Sequence, residues 1–248
     1  KKKIKGELKR KRKLGCVFRG GGAEHKFSLN GFTLAEVLIT LGVIGVVAAM
    51  TLPTVISNYR KKQTVTHLQK VYSVLNQAFK LSQLDNGEYK DWELSVYMDP
   101  KEYVSKYWAP YLKTIKICDN FSDCGYSKVR PWIHQDGSVS EEDVSGTIYR
   151  HALVLSDGTL ITFRIPAIGQ PENSPKINID LNGPKGPNMT GIDYFWLVPS
   201  EKGVIPMYSD IYTNDQLEES CKSPSDGVGC LAKIMADGWE IKDDYPWK

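Results

Sequence analysis

The apolar positions change rhythm along the chain. From Phe32 to Ile56, FTLAEVLITLGVIGVVAAMTLPTVI, 25 residues carry a single charge, Glu36. At about 1.5 Å per residue such a helix spans about 37 Å, enough to cross a hydrocarbon core of about 30 Å. No later stretch is comparable, so the pattern predicts one membrane-spanning segment. Beyond it the rhythm becomes amphipathic. Val65, Leu68, Tyr72, Leu75 and Phe79 recur at steps of three and four, with Lys70, Gln77 and Lys80 between them. Asp85-Asn86-Gly87 ends the pattern with residues suited to left-handed backbone. A single helix from Phe32 to Leu84 is expected, its first half suited to lipid and its second half to a domain core.

Asp99-Pro100 opens a second, shorter helix, with Asp99 as N-cap and Pro100 in the first helical position. Tyr103, Val104, Tyr107 and Trp108 give it an apolar face. After Pro110 the period shortens. Tyr149–Leu155 and Leu160–Ile165 are β-rich runs around Ser156-Asp157-Gly158-Thr159, a hairpin signal. Lys176–Leu181 and Tyr194–Val198 read as further strands, separated by a Gly/Pro loop at 183–188, and Gly227–Asp237 reads as a short late helix. The expected fold class is α+β: a long N-terminal helix packed on a small antiparallel sheet.

Charge divides the chain more sharply than its formal net of +3 suggests. Residues 1–31 hold 11 Lys/Arg against Glu7 and Glu24, a net of +9, while residues 32–248 carry −6. The basic excess therefore sits in one short piece, with Gly20-Gly21-Gly22 and no apolar period, which reads as a leader. The chain opens on Lys1 rather than Met, which leaves its translation start open. By the positive-inside rule the leader stays in the cytoplasm and the body lies outside. Cys118/Cys124 and Cys221/Cys230, spaced C-x5-C and C-x8-C, form close pairs in that outer body, and Cys16 is left in the basic piece. They read as two local disulfides in an oxidising compartment, the alternative being four reduced cysteines.

Gly31-Phe32-Thr33-Leu34-Ala35-Glu36 is the informative string. It resembles the prepilin cleavage and methylation motif of type IV pilins and type II secretion pseudopilins, matching at Gly31, Phe32 and Glu36. Gly45 and Pro53 fall where such pilins often carry helix-breaking residues. The close match covers about 35 residues; helix-then-sheet order extends it weakly. The resemblance implies cleavage between Gly31 and Phe32 and N-methylation of Phe32 by a prepilin peptidase/methyltransferase. It also implies pairing of Glu36 with the Phe32 amine of a neighbouring subunit during assembly, and a pilin-like fold. The physics is compatible: a lone carboxylate within a membrane helix costs at least about 2.5–3.5 kcal/mol and usually serves a function. Gly42, Gly45, Ala48 and Ala49 permit close helix approach. Pro53 frees the carbonyl of Ala49, so a kink or local break is expected there, and the resemblance extends this to lost helical order over Gly45–Pro53 in a filament.

The implied organisation is a cleaved cytoplasmic leader (1–31), a transmembrane and assembly helix (32–59) and an exported pilin-like domain (60–248). The implied protein is a structural subunit, not an enzyme. It is held in a bacterial inner membrane, then moves into a periplasmic or surface filament. Its partners would be the peptidase, other pilin or pseudopilin subunits, the inner-membrane assembly platform and membrane lipid. An adhesion or DNA-uptake minor pilin is the alternative within this class. Residues 63–248 hold 18 bases and 26 acids, which disfavours nucleic acid as a general partner. A rival of another class is an exported soluble binding protein or hydrolase. Val47-Ala48-Ala49 offers a small-residue signal-peptidase site that would release a body beginning at Met50.

Other chemistry is sparse. Asp180, Asn182, Asn188 and Asp193 gather oxygen atoms around a Gly/Pro loop, with Asp180 and Asn182 expected on one face of their strand. The plain reading is a turn. The other reading is a Ca²⁺ site, as in the sheet region of some major pseudopilins; no further cofactor is implied. His25, His67, His134 and His151 form no metal pattern, and no nucleotide-binding or nucleophile motif occurs. Glu141-Glu142-Asp143 and Asp243-Asp244 read as solvated surface.

Overall fold

The structure, a computed structural model, describes residues 31–93, 98–144, 149–165, 175–222 and 226–247. The leader expected over residues 1–31, with Cys16 and His25, lies outside them except for Gly31. The chain divides into two compact units, residues 1–50 and 51–248. A 53-residue helix, α1 (Leu34–Asn86), begins in the first unit and ends in the second. The helix runs without interruption through Gly45 and Pro53, so the local break expected at Pro53 does not occur. A proline costs the helix one donor and some steric relief, and here the turns on both sides keep the helical pattern.

In the first unit the helical side chains are exposed apart from partly buried Ala48. In the second, α1 buries one stripe: Val65, Leu68, Val71, Leu75, Ala78, Phe79 and Ser82. That is the three-and-four rhythm of the sequence. Gly87, at φ 84°, takes the left-handed position just after the last helical residue. The second helix, α2 (Pro100–Tyr107), begins as expected: the Asp99 carboxylate accepts from the Lys101 N–H at 2.9 Å, and Pro100 is first. Its aromatic face meets α1 through Trp108, stacked on Phe79 with ring centroids 5.8 Å apart.

Six strands follow in simple sequence order, every neighbouring pair antiparallel: β1 (Thr114–Cys118), β2 (Arg150–Leu155), β3 (Leu160–Arg164), β4 (Lys176–Asp180), β5 (Tyr194–Ser200) and β6 (Gly203–Pro206). Two short helices, α3 (Asn214–Cys221) and α4 (Cys230–Ala236), close the chain. The central strands are buried nearly throughout rather than at alternate positions, because both faces of the sheet are covered. One face, with Leu153, Ile161, Phe163, Ile179, Phe195 and Leu197, shares a core with α1, α2 and α4. The other, with Ala152, Leu160, Tyr194 and Trp196, is packed under Cys118, Cys124, Tyr126, Trp132 and Val144. Residues 119–144, after β1 and unassigned in the sequence reading, thus form a third layer. At the outer edge of β6 the Asn76 amide pairs with both backbone groups of Val204, each at 3.0 Å. A helix side chain therefore completes hydrogen bonds that an edge strand would leave open.

Candidate functional site

Gly31, Phe32 and Thr33 precede the first helical turn, and all three are exposed, Phe32 at 87%. The Gly31–Phe32 peptide bond therefore lies in non-helical chain ahead of an apolar helix. A protease that must draw its substrate into an extended form meets no helical hydrogen bond there. A Cβ on Gly31 would touch nothing within 4 Å, so the chain's own packing does not demand glycine.

Glu36 occupies the third position of α1, and its partner is local. Its Oε2 accepts from both the N–H and the hydroxyl of Thr33, each at 2.8 Å. The Glu36 N–H donates to the Thr33 hydroxyl at 3.2 Å. This is a capping box, in which a Thr N-cap and a Glu three residues later satisfy each other's backbone donors. Thr33 escaped the sequence reading, although T-x-x-E before an apolar run is the pattern that signals it. Both Thr33 donors go to one carboxylate oxygen, so the side chain is oriented while Oε1 is left out of the box. Cβ atoms built on Gly42 and Gly45 would also meet nothing, so these positions are open to a neighbouring helix.

The oxygen-rich loop after β4 is drawn together, but by its own hydrogen bonds. Asp193 accepts from the Asn182 side-chain amide at 3.1 Å and from the backbone N–H of Asn188 at 2.9 Å and Met189 at 2.6 Å. Asp180 points into the third layer, where its Oδ2 accepts from the Tyr126 hydroxyl at 2.8 Å and the Trp132 indole at 2.6 Å. Asn182 lies beyond the end of β4, in a turn, so the strand alternation expected to align it with Asp180 stops short of it. Burial, and then the nearby Asp193 carboxylate, pushes the Asp180 carboxyl up to about 7. Burial also pushes Asp193 up, against the hydrogen bonds of Met189, Asn188 and Asn182. Among the described residues, no group of three or more His, Cys, Asp or Glu side chains is arranged to hold a metal ion.

Cys118–Cys124 and Cys221–Cys230 are both bonded. The first ties the end of β1 to the third layer. The second joins the last residue of α3 to the first of α4. The acidic run at 141–143 is solvated surface, as expected from its composition, only at Glu141. Glu142 and Asp143 are largely covered and paired with Arg150, itself 4% exposed, and Glu142 also approaches Arg164 at 3.8 Å. Asp243 and Asp244 are exposed, as expected, and pair from the surface with Lys61 at 3.5 Å and Lys233 at 2.8 Å. Local composition gave no view of these partners, which come from other elements.

A model described as a family of unknown function (DUF6613) matches residues 54–164. The matched region begins after the Gly31–Glu36 string and covers the later part of α1, α2 and β1–β3. No curated protein and no solved structure matches the chain.

Proposed function

We propose that this chain is a prepilin-like structural subunit. It is anchored in a bacterial inner membrane by the apolar part of α1, cut between Gly31 and Phe32, N-methylated at Phe32, and assembled into a type II secretion pseudopilus or type IV pilus. The observation that carries this reading is the string Gly31-Phe32-Thr33-Leu34-Ala35-Glu36 at the head of a helix. That helix has one part long and apolar enough to cross a membrane, and another that lies in the core beside an antiparallel sheet. The exposed, non-helical scissile bond supports it. After cleavage the new amine of Phe32 supplies the opposite charge that Glu36 lacks among its own neighbours. The apolar helices would pack in the filament core, with Gly45–Pro53 free to lose helical order there, and the sheet domain would form the surface. The subunit has no catalytic role in this scheme.

The deciding test is mass spectrometry of the N-terminal peptide, from cells with and without a prepilin peptidase. The expected mature terminus is Phe32, carrying one N-methyl group, and the leader is retained when the peptidase is absent. A mature terminus at Met50 would instead establish ordinary signal-peptide cleavage and a soluble exported body.

A further inference from the structure

The charge of the chain reverses just past its apolar run. Arg60, Lys61 and Lys62 follow Ile56 with no acid among them, and the acid-rich residues 63–248 come next. By helical rise, Tyr59 lies about 4–5 Å and Lys62 about 9 Å beyond Ile56. The polar layer on each side of a bilayer's hydrocarbon is about 5–7 Å thick, so these residues fall at its depth or just above it. A cavity of about 700 Å³ opens here within the second unit. Tyr59, Lys62, His67 and Lys70 line it from α1, and Asn182 and Asp193 from the loop after β4.

The cations in and beside the cavity are not equivalent, and Lys70 lies about 21 Å beyond Ile56, above the polar layer. Lys61 is paired with Asp243 at 3.5 Å, and Lys70 with Asp157 at 2.7 Å. Arg60 and Lys62 are exposed and make no ion pair among the described residues. Asp193 brings a carboxylate to the cavity, but its oxygens are turned to the Asn182 amide and the N–H groups of Asn188 and Met189. Tyr59 is 60% exposed, and an amphipathic ring at this depth suits the boundary between headgroup and acyl chain.

We propose that this cavity seats the headgroup of an anionic phospholipid from the outer leaflet of the membrane that anchors the helix. Lys62 would meet the phosphate and Tyr59 the glycerol region below it. The proposal rests on the anchoring reading above. Its function would be to fix the depth of α1 and to hold the acidic body against a surface of the same sign, which only a basic collar can approach.

The test uses the full chain in nanodiscs doped with phosphatidylglycerol or phosphatidylcholine carrying a photoreactive headgroup, with cross-links mapped by peptide mass spectrometry. The phosphatidylglycerol probe is expected to label the segment 59–70 preferentially. Lys62→Gln should lower that labelling about fivefold, the effect of one cation near an anionic surface. Excess inorganic phosphate should leave it unchanged; displacement by phosphate would reassign the cavity to a free anion and overturn the lipid proposal. Equal labelling by both probes, or indifference to Lys62→Gln, would also overturn it. Incorporation is read separately by co-elution with the disc. A chain that incorporates but is not labelled overturns only the headgroup site, whereas one that never incorporates overturns the anchoring reading too.

Discussion

Glu36 has one observed role and one proposed role, and truncating the side chain removes both. As the third residue of a capping box it orders the first turn through Thr33. As a charge in an apolar helix it would, in the proposed scheme, pair with the Phe32 amine that cleavage releases. Glu36→Gln divides these roles, because an amide oxygen still accepts from Thr33 but carries no charge. We expect Glu36→Gln and Glu36→Val both to be cleaved, since the side chain lies beyond the cut, and both to assemble poorly, as counted in filament preparations. Thr33→Val keeps the backbone donor and the charge, so it should assemble better than either. Normal filaments from Glu36→Gln would reduce Glu36 to a helix cap. At Asp180 the issue is a proton. Its carboxyl is pushed from the ordinary 3.8 up to about 7, so the folded chain holds this proton more tightly than the unfolded one. Stability from this group is therefore fullest at low pH and falls as pH rises from about 4 through 7. Burial of His151 pulls its pKa down and works in the opposite sense below about 6.5. The comparison to make is thus wild type against Asp180→Asn. The variant's melting temperature should gain on wild type by several degrees between pH 5 and pH 8, and a parallel pair of curves would dismiss the buried proton.

At the scale of elements, the strongest periodicities were the most legible. The later part of α1 was readable because Val65, Leu68, Leu75 and Phe79 keep a helical step over several turns, and Gly87 marks the stop. The hairpin of β2 and β3 was readable from Asp157-Gly158, where Gly158 takes φ 90°. Two edge strands were not: β1 carries Lys116 and exposed Ile115, and β6 has four residues, with Gly203 and Pro206 at its ends. Their strand character comes from partners rather than from propensity. The third layer was hidden for a related reason. It is irregular chain held by long-range bonds from Tyr126 and Trp132 to Asp180, and by Arg150 with Glu142 and Asp143. Arg150 also donates to Thr162 and Asn178, both at 3.2 Å, which ties the layer's charges to the middle of the sheet. Removing one member of such a buried set strands the others. Arg150→Met should cost about 3–5 kcal/mol in chemical denaturation. The double variant Arg150→Met/Glu142→Leu should recover part of that loss. A double variant no more stable than Arg150→Met would show that the loss does not come from stranding Glu142.

For the whole molecule, residues 1–31 and the remainder carry opposite net charges, so a cut between them would be visible without sequencing. The intact chain has a formal net of +3 and an isoelectric point near 8.4. The +9 of residues 1–31 is responsible, because the remainder carries −6. A cut at Gly31–Phe32 should therefore move the protein from the basic to the acidic side of an isoelectric-focusing gel. A cut before Met50 would do the same, since only Glu36 among the charged groups separates the two products. Their membrane behaviour differs, because the first keeps the whole apolar run and the second loses most of it. The expected product is thus acidic and resistant to carbonate extraction from membranes, while a substitution such as Gly31→Asp should leave a basic, equally resistant precursor. Gly31→Ala should be processed at least partly, because Ala is small and a Cβ at position 31 meets nothing in the chain itself. The demand for a small residue would then come from the peptidase. An acidic product that carbonate releases would place the cut inside the helix and remove the filament assignment. A basic product persisting in cells that process other prepilins would show that Gly31–Phe32 is not a substrate bond.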